Sequence, residues 1–263
     1  MTDKDGGAST EGTAAGSPRE ASVTRPAVVW EALQGLLAGL SPGGDTPLEI
    51  VDAGGGTGGA AVPLAELGHR VTVVEPSPDS LAALERRAAE AGVRVQALQG
   101  ETGDLSRLLP AREAHLVLVH NVLEYVDDPL RALTDVMEIT RPGGAVSVLA
   151  ANTVAGALHR ALAGHVSEAH QLLVDPDGRW GSGDPMPRRF TAEQLTELAE
   201  RTGLIEPSTR GVRVFADLLP GRACDADTQE GPQLLALERI AAAHPALSGI
   251  ATQLHVVAHR PGA

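Results

Sequence analysis

The sequence has few cysteines, lysines and aromatic residues, and it has no long apolar run. Cys224 is the single cysteine among 263 residues, which excludes an intrachain disulfide and a cysteine-bound zinc. No apolar run reaches the roughly 18 residues that a transmembrane helix needs. No basic segment followed by an apolar one opens the chain, as it would in a secretory signal. These absences predict a cytoplasmic protein that uses neither membrane nor metal.

Positive charge is also scarce. The chain has 34 acidic and 21 basic residues, a net charge of −13, and Lys4 is its one lysine. An acidic protein repels nucleic acid at long range, so binding to nucleic acid requires a local basic patch. Glycine and proline are plentiful, at 30 and 18 residues, but they recur with no period. Collagen-like and repeat architectures are therefore excluded.

The first 24 residues differ in composition from the rest of the chain. They are rich in Gly, Ser, Thr, Ala and acidic residues and have almost no large apolar side chain. Burial in such a segment cannot offset the entropy lost on ordering. We therefore expect residues 1–24 to form a disordered tail and residues 25–263 to form one folded domain.

Strand and helix patterns alternate along that domain. Short apolar runs bounded by glycine or proline alternate with segments whose apolar residues recur at helical spacing. The strands are predicted at residues 48–53, 70–74, 93–98, 115–120, 145–150, 211–215 and 253–260. The helices are predicted at residues 28–40, 59–67, 79–91, 129–140, 191–201 and 234–243. This α/β alternation predicts a mostly parallel sheet with helices on both faces.

Residues 152–190 interrupt the alternation. They contain one helix candidate, Thr153–Leu173, and then a loop rich in Pro, Gly, Asp and Arg. Long loops at the ligand-binding edge of a sheet often cover the substrate. We expect this insertion after the fifth strand to be a lid.

A glycine loop follows the first strand and opens a helix. Gly54, Gly56 and Gly59 match the dinucleotide pattern G-x-G-x-x-G, whereas Gly54, Gly56 and Gly58 match the G-x-G-x-G of S-adenosylmethionine (SAM) methyltransferases. Glycines at such a turn let the backbone approach a ligand closely.

The acidic residues around this loop favour the second pattern. Asp52 would attract the cationic ammonium of SAM and repel a pyrophosphate, whereas Glu75 at the end of the second strand can hold a ribose in either cofactor. A glycine-rich turn without a ligand is the third alternative.

Two further residues have a functional and a structural interpretation. Asp104 follows the loop after the third strand, where it can read the edge of adenine or cap a helix at residues 105–109. His120 ends the fourth strand at the crevice where open sheets bind ligands. We favour a contact of His120 with cofactor or substrate over a hydrogen-bonded core histidine.

Several segments resemble the bacterial tRNA carboxymethoxyuridine methyltransferases. The similar segments are Val51–Gly56, Gly68–Thr72, His120–Pro129, Gly211–Asp217 and Leu254–Ala258. The resemblance implies a Rossmann-like seven-stranded sheet with an antiparallel last strand. It also implies a SAM-dependent transferase that methylates the carboxylate of 5-carboxymethoxyuridine at the tRNA wobble position, releasing S-adenosyl-L-homocysteine.

The resemblance also implies roles for individual residues. Arg25 would bind the cofactor's carboxylate, Glu75 would replace an aspartate that binds the ribose, and Thr102 and Gly103 would lie beside adenine. The cofactor-binding set becomes Arg25, Asp52, Gly54, Gly55, Gly56, Gly58, Glu75, Thr102, Gly103, Asp104 and His120. In place of a lysine-rich stretch before Phe190, this chain has arginines mixed with aspartates.

The implied reaction needs no general base, because a carboxylate with a pKa near ~4 is already ionised at neutral pH. It needs groups that orient the acceptor. The positioning candidates are Asn152, His159, Arg213 and His255. The substrate-binding candidates are Tyr125, Arg179, Arg188, Arg189 and Arg213. Five of these candidates also have a structural interpretation: Arg213 as a surface ion pair, His255 as a buried hydrogen-bonded histidine, and the three loop arginines as solvated charges.

Two other functions remain open at this point. One is a methyltransferase that acts on a small-molecule metabolite, which the net charge of −13 suits better than a tRNA substrate. The other is a relative that binds SAM without catalysis, against which the intact loop with Asp52 and Glu75 argues. The sequence does not determine the oligomeric state.

Overall fold

The computed structural model describes residues 24–41, 46–219 and 231–262. The strands are β1 (Glu49–Ala53), β2 (Arg70–Glu75), β3 (Val95–Gln99), β4 (Ala114–His120), β5 (Thr140–Ala151), β6 (Ile205–Val212) and β7 (Gln253–His259). The helices are α1 (Thr24–Leu40), α2 (Ala61–Glu66), α3 (Pro78–Glu90), α4 (Leu105–Leu108), α5 (Pro129–Ile139), α6 (Thr153–Leu162), α7 (Val166–Val174), α8 (Ala192–Arg201) and α9 (Gly231–Ala242).

The seven strands form one sheet in the order β3-β2-β1-β4-β5-β7-β6. β7 is antiparallel to both of its neighbours, and the other pairs are parallel. The predicted Rossmann-like, mostly parallel sheet with an antiparallel last strand is confirmed. The direction of winding reverses between β1 and β4, so a crevice opens at their carboxyl ends, where sheets of this kind bind ligands.

The apolar residues of the strands divide between the two faces of the sheet. On β4, Val117 and Val119 pack with α5 and α8, whereas Leu116 and Leu118 pack with α1, α2 and α3. All four side chains are buried. A strand covered on both faces needs a continuous apolar run, which explains the sequence of β4.

Side-chain caps fix where the helices begin. Ser77 Oγ accepts a hydrogen bond from the N–H of Ser80 at the start of α3, and Asp128 accepts from the first N–H groups of α5. Thr191 and Gln194 form a reciprocal capping box at the start of α8, as its sequence predicts for Thr191. These caps fix the residues at which α3, α5 and α8 begin.

The insertion differs from its prediction. The single helix expected over Thr153–Leu173 is wrong, because the chain forms α6 and α7 with a turn between them. Gly164 in that turn has a φ of +84°, which a continuous right-handed helix cannot contain. Backbone hydrogen bonds link Phe190 to Ala151 and Thr153, so the insertion leaves and rejoins the sheet at one place.

Three expectations fall wholly or partly outside the described residues. Of the tail predicted at residues 1–24, residues 1–23 lie outside, and Thr24 already belongs to α1. Cys224 lies outside as well. Arg25 is in the first turn of α1, but its side chain is outside the description. None of the described helices has the length and apolar character to cross a membrane.

Candidate functional site

The glycine loop lies at the carboxyl end of β1, inside the crevice. Gly54 has a φ of +74°, and a Cβ there would lie 2.4 Å from Val122 Cγ2. A Cβ at Gly55 would lie 2.6 Å from Asp52 Oδ2. Both positions therefore require glycine, and the close packing brings the backbone of the loop next to the Asp52 carboxyl group.

Asp52 is buried near the end of β1, between Val73 of β2 and Leu118 of β4. Burial first, and then the nearby Glu75 carboxylate, raise the pKa of Asp52 to about 7. The carboxyl group is therefore about half ionised at neutral pH. A cation bound beside it would favour the ionised form.

Glu75 ends β2 and holds the glycine loop in place. Its Oε2 accepts a hydrogen bond of 3.0 Å from the N–H of Gly56, and its Oε1 accepts one of 3.0 Å from the N–H of Ser77. Carboxylate oxygens have further lone pairs. Glu75 can therefore fix the loop and still accept a hydrogen bond from a ligand.

Two cavities flank the loop and share Gly54 and Asn121. The first cavity measures about 620 Å³, and its lining includes Glu75, Gly100, Thr102, Gly103, Val122 and Tyr125. The second cavity measures about 710 Å³, and its lining includes Trp30, Leu33, Asp52, Gly55, Gly56 and His120. Because they share these two lining residues, the cavities are adjacent, and a ligand lying along Gly54 and Asn121 would contact both.

The residues predicted to contact adenine do not all lie in the first cavity. Thr102 and Gly103 line the first cavity, as a cofactor contact requires. Asp104 is instead bonded within its own turn: it accepts from the N–H of Glu101 at 3.1 Å and from Arg107 at 2.9 Å. These bonds hold the pKa of Asp104 below its usual range. The side chain closes a capping box on the 3₁₀ turn Thr102–Asp104 and makes no capping bond to α4, so the predicted cap of residues 105–109 is wrong.

Gly58 also differs from the glycines beside it. Its φ is +82°, and a Cβ there would lie 2.3 Å from Leu84 Cδ1 of α3. This glycine lets the loop pack on α3, and it is not part of the lining of either cavity. This packing gives a structural reason for a glycine at this position, and its predicted contact with a cofactor stays a prediction.

His120 belongs to a hydrogen-bonded chain across three strands. Its Nε2 lies 2.9 Å from Ser147 Oγ on β5, and Ser147 Oγ lies 2.8 Å from Nε2 of His255 on β7. Desolvation, followed by the neighbouring His255, lowers the pKa of His120 to about 3. Desolvation, followed by Arg210, lowers the pKa of His255 to about 4. Both rings are therefore neutral at physiological pH.

Sequence reasoning missed Asn121, Ser147 and Gln253. Asn121 lines both cavities with a φ of +57°, a left-handed conformation that is uncommon for non-glycine residues but that asparagine adopts more readily than most. Gln253 Nε2 donates a hydrogen bond to its side-chain oxygen. The strand-end position of Asn121 was the available signal, whereas the partners on β5 and β7 depend on sheet register.

Three of the predicted positioning residues lie near one another but outside both cavity linings: Thr252 links the backbones of Asn152 and Arg213 by hydrogen bonds, and the charge of Arg213 acts on His159. Asn152 caps α6, and its Nδ2 donates to the carbonyls of Gly249 and Ala251, both at 2.8 Å. His159 lies in the last turn of α6, where burial and then Arg213 lower its pKa. Arg213 pairs with Asp217. Of the four candidates, only His255 is linked to a cavity, through Ser147.

Three of the four arginines predicted to bind the substrate lie in the insertion and are paired with its aspartates. Arg189 donates to Gly178 O and forms an ion pair of 2.6 Å with Asp184, whose side chain is fully buried. Arg188 donates to Val126 O at 2.8 Å and pairs with Asp177, and Arg179 pairs with Asp175 and Asp177. The prediction that these arginines bind phosphates receives no support from this arrangement.

The rim of the first cavity is acidic. Tyr125, the fifth substrate candidate, lines this cavity with 59% of its surface exposed. The charged residues in the lining are Glu75, Glu101, Asp127, Asp128, Arg131 and Asp135, and Arg131 pairs with Asp135. No residue of the insertion lines either cavity, so the described part of the predicted lid lies beside the site.

Comparison with known proteins identifies relatives of the chain. Residues 51–146 match the family described as a methyltransferase domain. The chain is 31% identical over 240 residues to a tRNA 5-carboxymethoxyuridine methyltransferase of Escherichia coli O157:H7, covering 90% of this chain and 88% of that protein. It is 32% identical over 182 residues to a ubiquinone biosynthesis O-methyltransferase of Methylocella silvestris, covering 65% and 66%.

Solved structures share the fold. A SAM-dependent methyltransferase from Thermotoga maritima, described as a possible histamine N-methyltransferase, matches with a TM-score of 0.53. It is 19% identical in sequence, and the match covers 89% of this chain and 92% of that one. At this identity the likeness concerns the architecture of the sheet and its helices.

Proposed function

The chain belongs to the tRNA 5-carboxymethoxyuridine methyltransferase family, and we propose that it methylates the carboxylate of 5-carboxymethoxyuridine in tRNA. The protein is a SAM-dependent methyltransferase. The observation that carries the substrate assignment is the extent of the similarity. Its 240 residues reach far beyond residues 51–146, which match methyltransferases in general. A tRNA substrate would place the activity in the cytoplasm.

The two cavities suit the two chemically different ends of SAM, which when bound supplies an electrophilic methyl group and leaves as S-adenosyl-L-homocysteine. Glu75, Thr102 and Gly103 would hold the nucleoside in the first cavity. Asp52 in the second cavity would attract the ammonium group. Gly54, which lines both cavities, has no side chain to obstruct a ligand that contacts both.

The acceptor would be a carboxylate, which is ionised at neutral pH because its pKa lies near ~4. No side chain has to remove a proton from it. The protein would contribute by positioning the acceptor against the methyl group, an effect that lowers the activation barrier by about 7–11 kcal/mol in well-oriented reactions. Neutral donors suit this role, because a cation paired with the carboxylate would reduce its reactivity.

The test combines the purified protein and SAM with tRNA that carries carboxymethoxyuridine. After digestion, mass spectrometry should find the nucleoside heavier by one methyl group. Gly54→Asp should abolish the gain, because the new side chain would meet Val122 at a position that lines both cavities. Gly39→Asp is the control and should retain activity, because Gly39 is on the exposed face of α1 and a Cβ there would have no neighbour within 4 Å. No gain on a preparation that binds SAM would refute the tRNA assignment.

A small-molecule acceptor is the second candidate, and the pairing of the insertion's arginines with aspartates favours it. The acidic rim of the first cavity has the same implication. With methyl-labelled SAM and a deproteinised metabolite extract, this candidate predicts label in a small molecule and none in tRNA. Label in tRNA alone would eliminate it.

A further inference from the structure

The hydrogen-bonded chain His120–Ser147–His255 lies on a mostly apolar face of the sheet. Its neighbours on that face include Leu116, Leu118 and Leu149, which pack with α1 and α2. Ser147 and His255 are buried, and buried polar groups are costly unless they are hydrogen-bonded. Apolar residues in place of Ser147 and His255 would avoid this cost. The presence of this hydrogen-bonded chain therefore requires an explanation beyond packing.

The two hydrogen bonds constrain the protons on both rings. Ser147 has one hydroxyl proton and contacts Nε2 of both histidines, and no other acceptor is bonded to this hydroxyl in the described residues. Because both rings are neutral, Ser147 donates to one Nε2 and accepts from the Nε2–H of the other. One histidine therefore has its proton on Nε2, and the other has it on Nδ1.

The charge of Arg210 indicates which of the two histidines has its proton on Nε2. It is the register partner of His255 in the β6–β7 pair, and its charge lowers the pKa of that histidine further. A cation favours an imidazole that turns a lone pair toward it, and because the Nε2 of His255 is bonded to Ser147, Nδ1 is the nitrogen left for that lone pair. His255 then keeps its proton on Nε2 and donates to Ser147, which donates to His120 Nε2.

We propose that Ser147 and His255 are positioning residues that hold His120 in the Nδ1–H tautomer, so that His120 offers the second cavity a neutral donor for a carboxylate. Two sources of carboxylate are available: the amino-acid end of SAM and the acceptor. The assignment to a methyltransferase site rests on the proposed function, whereas the tautomer itself does not. A neutral donor fixes the direction of a carboxylate without neutralising it.

The first test measures the tautomer in the full-length protein without ligand. Histidine labelled with ¹⁵N gives distinct long-range ¹H–¹⁵N patterns for Nδ1–H and Nε2–H rings, and His120→Gln assigns the signal. We expect His120 as Nδ1–H and His255 as Nε2–H at pH 7. Ser147→Ala should shift His120 toward Nε2–H, and Ser147→Cys, a weak donor of similar size, should do the same if the alanine variant is unstable.

Thr72→Ala is the matched control. It removes another cross-strand hydroxyl bond, the 3.3 Å contact of Thr72 with Gln96, which is on β2 and β3 and outside both cavity linings. The His120 pattern should not change in this variant. An Nε2–H pattern for His120 in the wild type, or no change in both Ser147 variants, would overturn the proposal.

The second test identifies the carboxylate. If it belongs to SAM, Ser147→Ala should weaken SAM binding by about tenfold, the value of one oriented hydrogen bond, without affecting methylthioadenosine, which lacks the carboxylate. If it belongs to the acceptor, kcat/KM for the acceptor should fall about tenfold at saturating SAM, with SAM affinity unchanged. No loss in either quantity would refute the role of the donor. Failure to methylate tRNA would refute the proposed function and leave the tautomer result standing.

Discussion

At the scale of single residues, the site depends on a buried carboxyl group whose ionisation costs more free energy than in water. Asp52 is buried beside Glu75, and its pKa is raised to about 7. A buried carboxylate near another one gains most from a ligand that brings a positive charge. The residue is therefore suited to couple ligand binding to its own ionisation.

The affinity for SAM should increase as the pH rises from 6 to 7.5. Asp52 is mostly protonated at pH 6 and mostly ionised at pH 7.5, while the ammonium group of SAM, with a pKa near ~7.8, stays largely charged. Calorimetry should show the Kd falling by about fivefold over this range. Asp52→Asn should bind weakly with little pH dependence, and an equally flat wild-type curve would contradict the role of Asp52.

Gly55→Ala should damage the site through Asp52. The new methyl group would lie 2.6 Å from Asp52 Oδ2 and 2.9 Å from Val73 Cγ1. Displacing either group should cost about 1–3 kcal/mol of unfolding free energy, the usual effect of overpacking. Denaturant unfolding should show the loss of stability, and SAM titration should show a loss of affinity. Gly35→Ala is the control and should show neither loss, because a Cβ at Gly35 would have no neighbour within 4 Å.

At the scale of elements, the insertion between β5 and α8 is fastened by its own ion pairs. Arg189 and the fully buried Asp184 fix the loop after α7, and Arg188 ties it to the segment after β4. The aspartates that interrupt the arginines thus hold the loop in one shape. These charges serve the fold of the insertion.

Arg189→Met should loosen this loop and leave SAM binding intact. Removing one partner of a buried ion pair typically costs about 3–5 kcal/mol, because Asp184 would remain buried without its partner. Hydrogen exchange should increase across residues 175–190. Arg179→Met, which removes an exposed pair worth about 0–1 kcal/mol, is the control. Equal protection in both variants would show that the buried pair does not fasten the loop.

At the scale of the whole molecule, charge limits how a nucleic acid can bind. The net charge is −13, and the three arginines expected to reach phosphates are engaged with aspartates. A tRNA bound to such a surface would form few phosphate contacts. Recognition would depend on the modified nucleoside itself.

Binding of tRNA should therefore depend only weakly on salt. Each phosphate contact to a single strand contributes a slope of about 0.7 to the dependence of log affinity on log salt. Three contacts or fewer would weaken binding by at most about twentyfold between 50 and 200 mM salt. Filter binding across this range measures the slope, and a steeper loss would reveal a basic surface elsewhere on the chain.

The sequence predicts most of the sheet because the signals of its strands are local, whereas the strand predicted at residues 211–215 is wrong, since β6 lies at Ile205–Val212. The both-face apolar run of β4 and the glycines after β1 specify their own conformations, and the structure agrees. Residues that depend on register could not be predicted, since Ser147 meets His120 and His255 only when β5 lies between β4 and β7. The turn at Gly164 was missed because helical spacing continues on both sides of it.

The arginine pairs illustrate a second limit. The sequence shows arginines and aspartates mixed in one loop, but a solvated charge, a phosphate ligand and an ion pair look alike at that level. Burial of the Asp184 side chain decides for the ion pair. The roles in cofactor binding proposed for Asp52, Glu75 and Thr102 stay predictions, supported by their places in the two cavities.

The position of β7 has a consequence for how the protein forms during translation. β6 leaves the ribosome before β7, yet β6 pairs within the described sheet only with β7. Until β7 is made, β5 has an open edge and Ser147 lacks the ring of His255 to which it is hydrogen-bonded. The hydrogen bonds that β7 makes to Ser147 and Asn121 therefore form only after β7 is made, and the nascent chain passes through a stage with an unpaired edge strand that is prone to aggregation.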